Sequence, residues 1–151
     1  MRVIKAQSTE ITSRLGDSQR FTGTVLIQDL VRGQSDKDIN VYRVRFEPGA
    51  RTHWHRHPGG QVLCIESGVG RIGTAGQTLE EGQQKAWEMS AGDVIWIEPG
   101  EWHWHGAEPD KDMIHIAISP ALGSDAAKDH YEKDWDREVT TGEYDSIDRS
   151  S

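Results

Sequence analysis

An all-β fold, a sandwich or barrel of short strands, is predicted by three features of the sequence. Glycine is frequent, 16 in 151 residues, and recurs between apolar stretches too short for helices. Several of those stretches alternate apolar with polar, the period of a strand with one buried face. Six of the seven histidines fall in three tight groups: His53, His55 and His57; His103 and His105; and His115. Residues two apart on a strand face the same side, so each group can aim its imidazoles at one interior. A chain of 151 residues is read as one domain with a core that needs no disulfide.

The elements follow in order. Residues 1–20 are polar and weakly patterned, an arm or edge segment, and the barrel is placed at 21–120. Phe21 to Gln28 is β-branched and reads as a strand, and 31–38 as a charged loop. Ile39 to Phe46 alternates, with Tyr42, Val44 and Phe46 on one side and Val41, Arg43 and Arg45 on the other. Glu47-Pro48-Gly49 turns the chain. Val62 to Ile65 is apolar on both faces, as in a strand between two sheets. Gly68 and Gly70 mark a further turn, and 71–89 read as two or three short strands around Gly73, Gly76 and Gly82. Ala91-Gly92-Asp93 leads into a strand at Val94 to Ile97, and Glu98-Pro99-Gly100 into one at 102–107. Residues 112–118 carry Ile114, Ile116 and Ile118 on one face and His115 on the other. Residues 121–151 form a tail: a short helix at Ala121 to Tyr131, then a polar, loose segment from Asp136.

Composition excludes some functions. The net charge of −8 is opposite to a nucleic-acid footprint. No apolar run is long enough to span a bilayer and no secretory leader is evident, so no membrane partner and a cytoplasmic location are expected. The single Cys64 cannot form an intrachain bridge, which fits a reducing compartment, and it reads as a small buried residue. Trp96, Trp102 and Trp104 read as core or interface packing. His130, in an acidic context, reads as a surface residue.

Gly49, five residues, His55, Arg56, His57, three residues, Gln61, six residues, Gly68 resembles the first motif of the cupin superfamily, with Gln61 in place of the usual glutamate. Gly92, Gly100 and His103 fit the second motif, while Glu98 and Ala107 replace its usual proline and asparagine. Trp54-His55-Arg56-His57-Pro58-Gly59-Gly60-Gln61 and His103-Trp104-His105-Gly106-Ala107 are similar to segments of small single-domain bacterial cupins, a group that includes manganese-dependent hydroxynitrile lyases. The resemblance implies a cupin-type double-stranded β-helix, a jelly-roll barrel. It implies a divalent metal held by His55, His57, Gln61 and His103. Manganese is the first choice, with iron, nickel, zinc and cobalt as alternatives, since ligand type alone does not select one. A set of three imidazoles and one amide leaves the cation's charge uncompensated, which favours Lewis-acid chemistry on a hydroxyl or carbonyl.

The remaining histidines divide differently. His105 and His115 should both face inward. Each is a candidate acid or base, with a hydrogen bond that steadies a metal-ligating side chain or the surrounding structure as the blander reading. His53 shares the parity of the ligands but reads as a non-ligand. Three functions are compatible with this set. The first is a hydroxynitrile-lyase-like enzyme that cleaves a cyanohydrin to an aldehyde or ketone plus cyanide, with His115 or His105 taking the proton. The second is an iron-dependent oxygenase, and the third a non-enzymatic module that binds a small ligand. The expected partners are a small-molecule substrate and further copies of the chain, in a homodimer or homotetramer.

Overall fold

A computed structural model of the chain describes residues 1–80 and 82–148. Residue 81, within the stretch read as short strands, and residues 149–151 of the tail lie outside them. Among the described residues there are ten strands and two short helices. The strands are β1 (Thr12–Leu15), β2 (Phe21–Thr22), β3 (Val25–Val31), β4 (Ile39–Phe46), β5 (Arg51–Thr52), β6 (Gln61–Gly76), β7 (Lys85–Ser90), β8 (Val94–Ile97), β9 (Trp102–Ala107) and β10 (Met113–Pro120). The helices α1 (Ser124–Lys133) and α2 (Thr141–Asp145) follow. The strands pair antiparallel in the order β1-β3-β4-β10-β6-β9-β5-β2, with β8 and β7 also on β6, and the sheet curls into a half-barrel.

The 16 residues of β6 organise the molecule. Its first half lies between β10 and β8, from Gln61 opposite Ile97 to Ile65 opposite His115. Its second half lies between β9 and β7, with Ile72 opposite both His105 and Trp87. Gly68 and Gly70 therefore sit inside one strand where it passes between two sheets, not in a turn. A Cβ on Gly70 would stand 2.5 Å from the carbonyl oxygen of Gly106, so the crossing requires a residue without one. Similarly, the strand expected at Phe21 to Gln28 breaks at Gly23, whose φ of +81° turns the chain between β2 and β3.

The core lies between the sheets and is built from the inward parity of each strand: Val25 and Ile27, Val44 and Phe46, Leu63 and Ile65, Met113 and Ala117. Val62 and Cys64 are on the other face and half-buried, so β6 is not apolar-packed on both sides there, and Cys64 is not a core residue. Their row continues through Val94 and Trp96, which are exposed, and through the half-buried Ile114, Ile116 and Ile118.

A second apolar cluster lies outside β9, where Trp54, Trp102 and Trp104 meet Val139 and Tyr144. Here the structure corrects the loose tail. Trp54, Trp102 and Trp104 have the outward parity, and the segment after α1 folds back to cover them. Residues 134–137 run beside 54–56, with Trp54 N donating to Arg137 O (3.0 Å), Asp136 N to Trp54 O (2.9 Å) and Arg56 N to Asp134 O (2.9 Å). Helix α2 starts with a capping box between Thr140 and Glu143. The Tyr144 hydroxyl donates to the Ala107 carbonyl (2.5 Å). The guanidinium carbons of Arg51 and Arg71 lie 4.3 and 4.6 Å from its ring centroid. All six residues of β9 are consequently buried. No helix among the described residues is long and apolar enough to cross a membrane.

Candidate metal centre

His55, His57 and His103 are brought together by backbone pairing. His55 and His103 exchange both hydrogen bonds of an antiparallel bridge, each N–H to the other's carbonyl at 2.9 Å. The three imidazoles each place one nitrogen within 4.8 Å of the others. His55 Nδ1 is 2.9 Å from the His53 carbonyl and His103 Nδ1 is 2.9 Å from the Glu101 carbonyl. A carbonyl only accepts, so both Nδ1 atoms carry the proton and both Nε2 lone pairs are left for another partner. His57 Nε2, His103 Nε2 and Gln61 Oε1 are buried and have no hydrogen-bond partner. Buried polar atoms without partners are rare in folded proteins, and a converging set of them is what a cation would satisfy.

Burial keeps these imidazoles neutral. His55 and His57 are held well below the usual histidine range, first by desolvation and then by the neighbouring imidazoles. Desolvation lowers His103 to about 4, against an opposing pull from Glu101. Metal ligation needs the neutral form, so the donor set fits a divalent cation.

His105 and His115 are side by side, as their inward parity predicts. His115 Nε2 is 3.1 Å from His105 Nδ1, and both rings pack on Phe46 at centroid distances of 5.3 and 5.7 Å. Burial lowers His115 to about 4 and His105 well below its usual range. The outer nitrogens, His105 Nε2 and His115 Nδ1, have no hydrogen-bond partner. His53 is buried but does not join the three ligating nitrogens; its carbonyl orients His55 instead.

A cavity of about 700 Å³, within the range of small-molecule sites, is lined by His55, His57, Gln61, His105 and His115. Apolar and aromatic residues, among them Ile27, Tyr42, Val44, Phe46 and Ala117, supply much of the remaining wall. The expected helix, α1, contributes Ala127, His130 and Tyr131 from one face, and Trp135 follows it. Trp135 stacks on His55, with ring centroids 4.3 Å apart and planes 8° from parallel. The placement of His130 overturns its reading as a surface residue. It is buried, its Nδ1 is 3.0 Å from Asp134 Oδ2, and its ring centroid is 5.2 Å from that of His57. Its signal in the sequence is the separation of four from Asp134, one helical turn, followed by an aromatic residue. Trp102 and Trp104 are core residues as expected, whereas Trp96 is exposed.

A half-barrel with three clustered histidines at its centre defines the class, and the chain belongs to the cupin family: the family model for the cupin domain matches residues 42–119. An (R)-mandelonitrile lyase of Granulicella tundricola is 40% identical over 129 residues, 85% of this chain and 88% of that protein. The crystal structure of a cupin-like protein from Thermotoga maritima is similar at a TM-score of 0.71 and 38% identity, covering 91% of this chain and 94% of the other. A cupin 2 conserved barrel domain protein from Rhodopseudomonas palustris shares the fold at a TM-score of 0.62 and 16% identity, covering 93% and 89%.

Proposed function

We propose that the chain is a metal-dependent lyase of the hydroxynitrile-lyase type, splitting a small cyanohydrin into an aldehyde or ketone and cyanide. The observation that carries this reading is one cavity lined by two different histidine sets: His55 and His57, which cluster with His103, together with Gln61, and the hydrogen-bonded pair His105–His115. The mandelonitrile lyase relative supports it, since the resemblance spans most of both chains. The residues to hold the metal are His55, His57, His103 and the Gln61 amide oxygen, with manganese the first choice. Bound there, a divalent cation supplies Lewis acidity to a substrate oxygen.

The chain's own contribution is proton handling. Cleavage moves the hydroxyl proton to a base, turns the O–H pair into the carbonyl bond, and sends the carbon–carbon electron pair off with cyanide, which then needs a proton. A pair of neutral imidazoles sharing one hydrogen bond always has one outer nitrogen protonated and the other not, whichever ring donates. The His105–His115 pair therefore contains both an acceptor and a donor of protons.

The test is cleavage of mandelonitrile by chelator-washed protein, before and after manganese is added. Activity should depend on the metal. His115→Ala should lower turnover by at least about 100-fold, the usual contribution of a positioned acid or base, while manganese content stays near that of the wild type. Cleavage at wild-type rate in that variant would remove His115 from the mechanism, and no cleavage by the manganese-loaded wild type would remove the lyase assignment.

A further inference from the structure

Among the histidines in and around the cavity, one differs in kind from the others. His55, His57, His103, His105 and His115 come from the barrel and have no carboxylate hydrogen-bonded to the ring. His130 comes from α1, outside the span matched by the cupin model, and its Nδ1 bonds the Asp134 carboxylate at 3.0 Å. Asp134 is itself buried and fixed from a second side, by Arg56 Nε at 2.8 Å from its other oxygen and by the backbone bond from Arg56. A carboxylate only accepts, so it holds the proton on Nδ1 and leaves the Nε2 lone pair as the free acceptor. The ring lines the cavity beside His57 without joining the cluster of ligating nitrogens.

We infer that the His130–Asp134 dyad is a substrate-contacting part of the site. His130 Nε2 accepts the hydrogen bond of a substrate hydroxyl presented to the histidine cluster, and the ligands it selects are small alcohols with an apolar body. This rests on the lyase reading for its place in turnover. There, the hydroxyl proton passes to His130 Nε2, the O–H electron pair completes the carbonyl, the carbon–carbon electron pair leaves with cyanide, and the proton returns from the His130 imidazolium to cyanide by way of the His105–His115 pair, which accepts it on one outer nitrogen as it releases one from the other, so that every ring ends neutral. Asp134 faces the proton that stays on Nδ1 and stabilises the resulting imidazolium. Two proton transfers are thus divided between two histidine sets.

The test separates hydroxyl recognition from simple wall packing. Affinities for benzyl alcohol and for toluene, which lacks the hydroxyl, are measured by calorimetry on manganese-loaded wild type and on His130→Phe and His130→Leu, with manganese content determined for each. Two apolar replacements are used so that one poorly folding variant does not decide the result. Loss of one hydrogen bond should weaken benzyl alcohol by roughly 5- to 10-fold. Toluene and manganese content should stay at wild-type levels, and His130→Gln, whose amide reaches the position of Nε2, should recover part of the loss. Equal weakening of both probes, no weakening of benzyl alcohol, or loss of manganese would each overturn the inference. Mandelonitrile cleavage is assayed separately on the wild type. No cleavage alongside a His130-dependent preference for the alcohol sinks the lyase reading alone, whereas cleavage without that preference sinks only the role of His130.

Discussion

Two backbone carbonyls, of His53 and Glu101, set the chemistry of the centre by fixing the protons of His55 and His103 on Nδ1. Replacing either histidine by alanine is expected to abolish tight metal retention, measured by elemental analysis after dialysis. Gln61→Glu should retain the metal longer against a chelator, because a carboxylate adds charge, and should lower mandelonitrile turnover for the same reason. Acid should weaken the metal-free protein. His103 and His115 are depressed to about 4 by burial, so the unfolded chain binds more protons than the folded one between the usual histidine range and that value. Their contribution is therefore present above about 6.5 and lost as pH falls toward 4, and the melting temperature should drop over that window. The three-histidine cluster was legible in the sequence because strand parity and motif spacing both report it. His130 was not, because parity says nothing about a helix that packs over the barrel from outside.

Strand β9 shows how one element serves two cores, with His105 facing the cavity, His103 facing the cluster with His55 and His57, and Trp102 and Trp104 facing the cover. The cover is held by Tyr144. Tyr144→Phe removes its bond to Ala107 and should cost about 1 kcal/mol, while Tyr144→Ala also empties the slot between Arg51 and Arg71 and should cost about 3–5 kcal/mol, both read by urea denaturation. Helix α2 adds an acid-sensitive latch. Burial raises the Glu143 carboxyl, but the Arg137 guanidinium, the Thr140 N–H and the Trp54 indole outweigh it and hold the group at about 2. This depressed value stabilises the fold above about 4.5 and stops doing so as pH falls toward 2, so Glu143→Gln should flatten that limb of the stability profile. Strands β4, β8, β9 and β10 were legible from alternation and their flanking turns. The continuity of β6 was not, although Val62 to Ile65 was read as a strand, because glycines that usually end a strand here let it continue from one sheet into the next.

At the scale of the whole molecule, the apolar row on the outside of the half-barrel is exposed at Val94 and Trp96 and half-buried at Val62, Ile116 and Ile118. We propose that a second copy of the chain covers it, giving the homo-oligomer that the resemblance to single-domain cupins implies. Arg43 and Glu66, paired at 2.9 Å on β4 and β6, bring both charge signs to the molecule's surface and could exchange partners across a two-fold axis. Light scattering at micromolar concentration should give at least twice the chain mass for the wild type and a lower mass for Trp96→Glu; a monomeric wild type would overturn this. The jelly-roll architecture was legible from the two histidine motifs, but which face stays bare depends on where the last segment folds, and composition does not encode that. The cover over β9 also bears on biosynthesis. Asp134 and Trp135, which brace Arg56 and His55, leave the ribosome after every strand of the barrel has emerged. A barrel whose final segment has not yet docked would hold the three histidines without the brace on His55 and Arg56, so docking of that segment is expected to be the last step that completes the site.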